Sequence, residues 1–101
     1  MKDLCFKSTS LLVLLAFVET EHLRQLNKWG VQDRTLFEWL TYTAEELGEL
    51  AKAVAEFTYR KGTPWDIANE ALQTATLCLK IAEMGLSVMI GGEQDARAKS
   101  V

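Results

Sequence analysis

The chain has 101 residues, enough for one domain built on a single core. Half its residues are apolar and only one is proline, a composition that excludes a turn-rich, many-stranded β protein and favours an all-α fold. The formal net charge of −3 carries no basic excess, which argues against a nucleic acid partner.

The first helix is expected over about 9–29, capped by one of Ser8, Thr9 or Ser10 and stopped by Gly30. Leu11 to Val18 is an unbroken apolar run, too short to span a bilayer. Lys2 and Lys7 precede it, but no small-residue cleavage site follows. The run therefore reads as a buried first helix, enclosed by its neighbours, and not as an export signal or a membrane anchor.

Thr35-Leu-Phe-Glu38 has the form of a capping box and opens a second helix over about 36–59. Leu36, Leu40, Ala44, Leu47, Ala51 and Val54 recur at helical period and are its expected core stripe. Glu46 falls at the edge of that stripe and Glu49 just beyond it. Arg60-Lys-Gly62 closes the helix, and Thr63-Pro-Trp-Asp66 starts a third over about 64–90. A connection this short predicts an antiparallel hairpin. The third helix carries Ala68, Leu72, Ala75, Leu79, Ala82 and Leu86 on one face and Ile67, Leu77, Ile81 and Met84 on the other. It is therefore expected at the centre of the fold. Residues 91–101 read as a polar tail, and the whole of 1–101 as one domain.

Cys5 and Cys78 are far apart and lie in apolar stretches, so they read as reduced thiols of a cytoplasmic protein. His22 has no His or Cys at ligand spacing, which argues against zinc. His22 and Arg24 read as polar packing on the first helix.

The chemistry is expected from carboxylates. Glu46 and Glu49 share one helix face, where two unneutralised acids repel. Glu70 lies among apolar residues of the third helix, a costly place for a lone carboxylate. Gln73 follows it at the same spacing. An antiparallel hairpin can bring these two pairs together as an all-oxygen donor set, suited to one or more Mg²⁺ ions and a polyphosphate. Lys52 and Lys80 lie along the same rows and are candidate phosphate contacts. Trp29 is a candidate for stacking on a base, with Gln25, Lys28 and Gln32 near it. Trp39 and Trp65 read as core or interface residues.

Taken in order, Arg24-Gln-Leu-Asn-Lys-Trp-Gly-Val-Gln32, Glu46-Leu-Gly-Glu49 and Glu70-Ala-Leu-Gln73 resemble the MazG-like family of all-α nucleoside triphosphate pyrophosphohydrolases. The resemblance spans about Glu21 to Glu83. Members pair Glu-x-x-Glu with Glu-x-x-Asp; here Gln73 replaces the Asp, similar to the Glu-x-x-Gln-x-Ala run of short phage- and cassette-type members. The resemblance implies hydrolysis of (deoxy)nucleoside triphosphates to monophosphate and pyrophosphate, in nucleotide-pool house-cleaning. It implies Mg²⁺, with Mn²⁺ as a substitute, held by Glu46, Glu49 and Glu70, with Gln73 as a weaker ligand. Glu46, or else Glu45, is the candidate base for the attacking water. Three helices are too few to cover both sides of the third, so a four-helix-type core completed in a homodimer is expected, with a dimer of dimers by resemblance. The competing expectation is a non-catalytic helical interaction module, or a nucleotide sensor, that kept the fold.

Overall fold

The computed structural model describes residues 9–91, and within them the chain forms three α-helices and no strand: α1 (Leu11–Trp29), α2 (Leu36–Tyr59) and α3 (Pro64–Gly91). Cys5 and residues 92–101 of the expected tail lie outside the described residues.

Local chemistry sets each boundary. Ser10 caps α1, its Oγ accepting from the backbone N–H of Val13 at 3.3 Å. Gly30 ends α1 at φ 72°, a conformation that a side chain resists, and its N–H bonds the Leu26 carbonyl at 2.8 Å. At α2 both halves of the capping box are present. Thr35 Oγ1 accepts from Glu38 N at 3.1 Å, and Glu38 Oε1 accepts from Thr35 N at 2.8 Å. Those bonds hold the exposed Glu38 carboxyl below its ordinary pKa. The α2–α3 turn is tight at Gly62, where a Cβ would meet Phe57 N at 2.7 Å. Thr63 then caps α3 through Asp66 N, with Pro64 at the first helical position.

This turn folds α3 back along α2, so the start of α2 meets the far half of α3. Trp39, Leu77 and Met84 form the core cluster there, with Leu36 and Ile81 packed against it. α1 packs on α3 as well, which makes α3 the central element. By length and composition α3 is also apolar enough to cross a membrane, the only such helix among the described residues.

Burial departs from the expected stripe on α2. Leu40, Leu47 and Val54 are exposed, Leu47 at 56%. The side of α2 laid on α3 runs instead through Trp39, Thr43, Glu46, Leu50 and Ala53, one position round the helix. The bulk of Trp39 sets that rotation, because burying its ring against Leu77 and Met84 removes more apolar surface than any one leucine of the other stripe. On α3 the Leu77–Ile81–Met84 face is inside, while Leu79, Ala82 and Leu86 are exposed. The apolar start of α1 is not enclosed either: Leu12, Val13, Leu15 and Phe17 are exposed. Trp65 is 57% exposed, with its ring tilted against Phe17 at 6.4 Å, and Cys78 is an exposed free thiol.

Candidate active site

The rotation of α2 carries Glu46 into the interface with α3. Trp39 and Glu46 are seven residues apart, as are Glu70 and Leu77, so the antiparallel register that sets Trp39 on Leu77 sets Glu46 on Glu70. The charge of Glu70 acts on the Glu46 carboxyl across this interface. One oxygen of each, Oε2, is buried and accepts no hydrogen bond. Burial pushes the Glu46 carboxyl above its ordinary pKa, and the charges of Glu70, Glu49 and Glu21 push it further the same way.

Glu49 is exposed, one turn along α2, within reach of Glu46 by its charge. Gln73 lines a cleft together with Glu46. Among the described residues no three His, Cys, Asp or Glu side chains are gathered tightly enough to hold a metal. The donor chemistry nevertheless fits a hard cation: Glu46 and Glu70 each bury a carboxylate oxygen without a donor, and Gln73 shares the cleft with Glu46.

The cleft has a volume of about 330 Å³. Glu46, Gln73 and Leu77 line it together with Trp29, Trp39, Tyr42, Arg24 and Arg34, and with Gln25 and Gln32. Cations lie on the aromatic faces. Lys28 Nζ is 4.6 Å and Arg24 Cζ 5.8 Å from the Trp29 ring centroid, and Arg34 Cζ is 4.9 Å from that of Tyr42.

Of the residues singled out in the sequence, the fold thus gathers Gln25, Trp29, Gln32, Glu46 and Gln73 on one cleft, with Lys28 against Trp29 and Glu70 against Glu46. Lys52 and Glu45 are exposed and line neither this cleft nor the smaller cavity beside it. Lys80 lines that smaller cavity, of about 100 Å³, with His22 and Glu83. Its Nζ donates to Gln25 Oε1 at 2.6 Å and lies 4.9 Å from the Trp39 ring, and burial lowers its pKa. Lys80 therefore does not line the cleft that holds Gln73.

Sequence reasoning missed Glu21, Arg24, Arg34 and Tyr42. Glu21 is the one buried charged residue among those described. It accepts from Arg24 Nε at 2.9 Å, Arg24 Nη2 at 2.7 Å and Gln25 Nε2 at 2.7 Å. Arg24 beside it holds the Glu21 carboxyl below its ordinary pKa, against the opposing effect of burial; Glu21 in turn raises that of Arg24. The Glu-x-x-Arg-Gln spacing in Glu21-His-Leu-Arg-Gln25 was a readable signal for this knot. Nothing local signalled Lys80, which arrives from another helix.

Comparison of the chain with protein-family models, with curated proteins and with solved structures gave no match.

Proposed function

We propose that the protein is a Mg²⁺-dependent nucleoside triphosphate pyrophosphohydrolase of the MazG-like kind. The observation that carries this reading is the Glu46–Glu70 pair, with two buried carboxylate oxygens lacking donors, of which Glu46 lines an aromatic and cationic cleft. An acid pair that served only the fold would be matched by cations, as Glu21 is. Left unmatched, it suits an incoming divalent cation.

In this reading Glu46 and Glu70 hold Mg²⁺, Glu49 joins them by turning its exposed side chain, and Gln73 offers an amide oxygen. The bound ion supplies charge neutralisation on phosphate oxygens and a polarised water. Glu46, which lines the cleft, is the candidate to take a proton from that water. Trp29 stacks on the base, Gln32 meets its edge, and Arg24, Arg34 and Lys28 face the phosphates.

The same reading includes a second copy of the chain. Leu40, Leu47, Val54 and Phe57 on α2 and Leu79 and Leu86 on α3 lie exposed at helical spacing, and a four-helix-type core formed by two hairpins covers them. A cytoplasmic location fits the free thiol of Cys78 and the nucleotide substrate.

Pyrophosphate release from a panel of canonical and modified NTPs and dNTPs, with and without Mg²⁺, tests the activity. Release that requires Mg²⁺ and is lost in Glu70→Gln supports it. Silence across the panel, from folded protein that Mg²⁺ does not stabilise, sinks it and leaves a helical interaction module. Light scattering gives the mass and tests the dimer.

A further inference from the structure

Glu21 has an arrangement that helix stability does not require. An exposed acid–arginine pair three residues apart supports a helix without burying either partner. Here the acid end is buried and the arginine end is open: the side chains are 9% and 48% exposed. The carboxylate grips the guanidinium side-on, through Nε–H and Nη2–H. Neither bond engages the Nη1 hydrogens. The Trp29 ring limits the guanidinium on another side, and the charge of Glu46 reaches it across the cleft. Gln25, held by Glu21 at one end and Lys80 at the other, closes the knot behind it. The result is a planar cation fixed in orientation on the wall of a cleft, with part of its donor fork unspent.

We propose that Glu21 is a positioning residue: it holds the Arg24 guanidinium side-on so that its remaining donors meet a phosphate group bound in the cleft beside Glu46. This inference rests on the cleft being the nucleotide site. To the contact of Arg24 with phosphate proposed above it adds the residue that aims it.

The test is calorimetric titration of the full chain with inorganic tripolyphosphate in Mg²⁺, beside nucleotide kinetics. Arg24→Gln is expected to weaken tripolyphosphate binding about tenfold or more, the loss of one charge-assisted fork. Glu21→Gln, which keeps the shape but not the charge, is expected to weaken it about three- to tenfold. The double variant should bind no more weakly than Arg24→Gln alone, because Glu21 acts through Arg24. In kinetics both single variants should raise KM and leave kcat nearly unchanged, a split that a general loss of structure does not produce. Arg24→Lys, which keeps the charge without the fork, should fall between wild type and Arg24→Gln, and it serves if Glu21→Gln does not fold.

Wild-type affinity in Glu21→Gln, additive losses in the double variant, or no tripolyphosphate binding by the wild type would each overturn the proposal. Its failure is separable from that of the enzymatic reading. Pyrophosphate release with an unchanged KM in Glu21→Gln removes only the positioning role. Arg24- and Glu21-dependent tripolyphosphate binding without any hydrolysis keeps the positioning role and removes the enzyme.

Discussion

Two clusters of acid lie within the same three helices and are treated in opposite ways. Glu21 on α1 receives three hydrogen bonds from Arg24 and Gln25, and its carboxyl is held below the ordinary pKa. Glu46 and Glu70, across the α2–α3 interface, leave two buried oxygens without a donor, and the Glu46 carboxyl is pushed up. Burial alone does not separate the two cases, since Glu21 is the more buried. What separates them is whether the fold supplies the counter-charge. A saturated acid is finished when the chain folds; an unsaturated one keeps a free-energy cost that a ligand can remove.

The sharpest way to break this contrast is to neutralise one member of each cluster. Glu70→Gln is expected to lower Mg²⁺-dependent pyrophosphate release by about 10²-fold or more, the scale for losing one preorganised charged group at a reacting centre. It should also abolish the rise in melting temperature that the proposed Mg²⁺ site predicts for the wild type. Activity within threefold of wild type would remove Glu70 from the site.

Stability should move in opposite directions at the two acids. Glu21→Ala leaves Arg24 and Gln25 without their acceptor. It is expected to cost about 1–2 kcal/mol after allowance for the half-exposed arginine, a fall in Tm of roughly 4–16 °C by thermal melting. In metal-free protein at neutral pH, Glu46→Gln should raise Tm by about 2–4 °C, because it removes a repelled and partly desolvated charge. If Glu46→Gln lowers Tm instead, the acid pair already has its counter-charge and the contrast collapses.

The pH dependence sharpens the comparison further. The Glu46 carboxyl titrates above 4.5 in the folded chain, so the repulsion it adds is absent below that value and sets in as pH rises through its raised pKa. The Glu21 carboxyl titrates below 4.5, so its contribution is present above that value and is lost as pH falls through its depressed pKa. Metal-free wild type should therefore gain a little stability as pH falls through the raised Glu46 pKa, and lose stability as pH falls further through the depressed Glu21 pKa. Thermal melts of Glu46→Gln should lack the gain, and those of Glu21→Gln should show a smaller loss.

The smallest effect lies away from both clusters. Thr35→Ala removes half of the capping box at the start of α2 and is expected to cost about 1 kcal/mol with no change in Mg²⁺ response. A change in Mg²⁺ response would mean that the start of α2 is coupled to the acid pair.

The sequence made the helices legible because their ends are written in local chemistry: Ser10, Gly30, the Thr35–Glu38 box, Gly62 and Thr63-Pro64 each act within a few residues. Glu46, Glu70, Gln73 and Trp29 were legible by spacing on helices already placed. The face of α2 was not. Leu40, Leu47 and Val54 have the right period for a core stripe, but period does not say whether a stripe meets the chain's own α3 or some other surface. The knot at Glu21 was half legible, since its arginine and glutamine are three and four residues on, while Lys80 joins from 55 residues away. Pairings of that kind depend on how helices rotate about their axes, which a single ring, Trp39, decided here.

The Gly62 turn makes the spacing of the hairpin a unit of measure. Trp39 with Leu77 and Glu46 with Glu70 share one alignment, so the packed core calibrates the acid pair. Inserting a single residue into α3 between Glu70 and Leu77 would turn the two parts of the helix against each other by about 100° and separate them by about 1.5 Å more. The chain then faces a choice. It can keep Trp39 on Leu77 and part the two glutamates, or keep the glutamates opposed and open the core. Length variation within these two turns of helix is thus a way to lose the acid pair while every side chain that builds it remains in place.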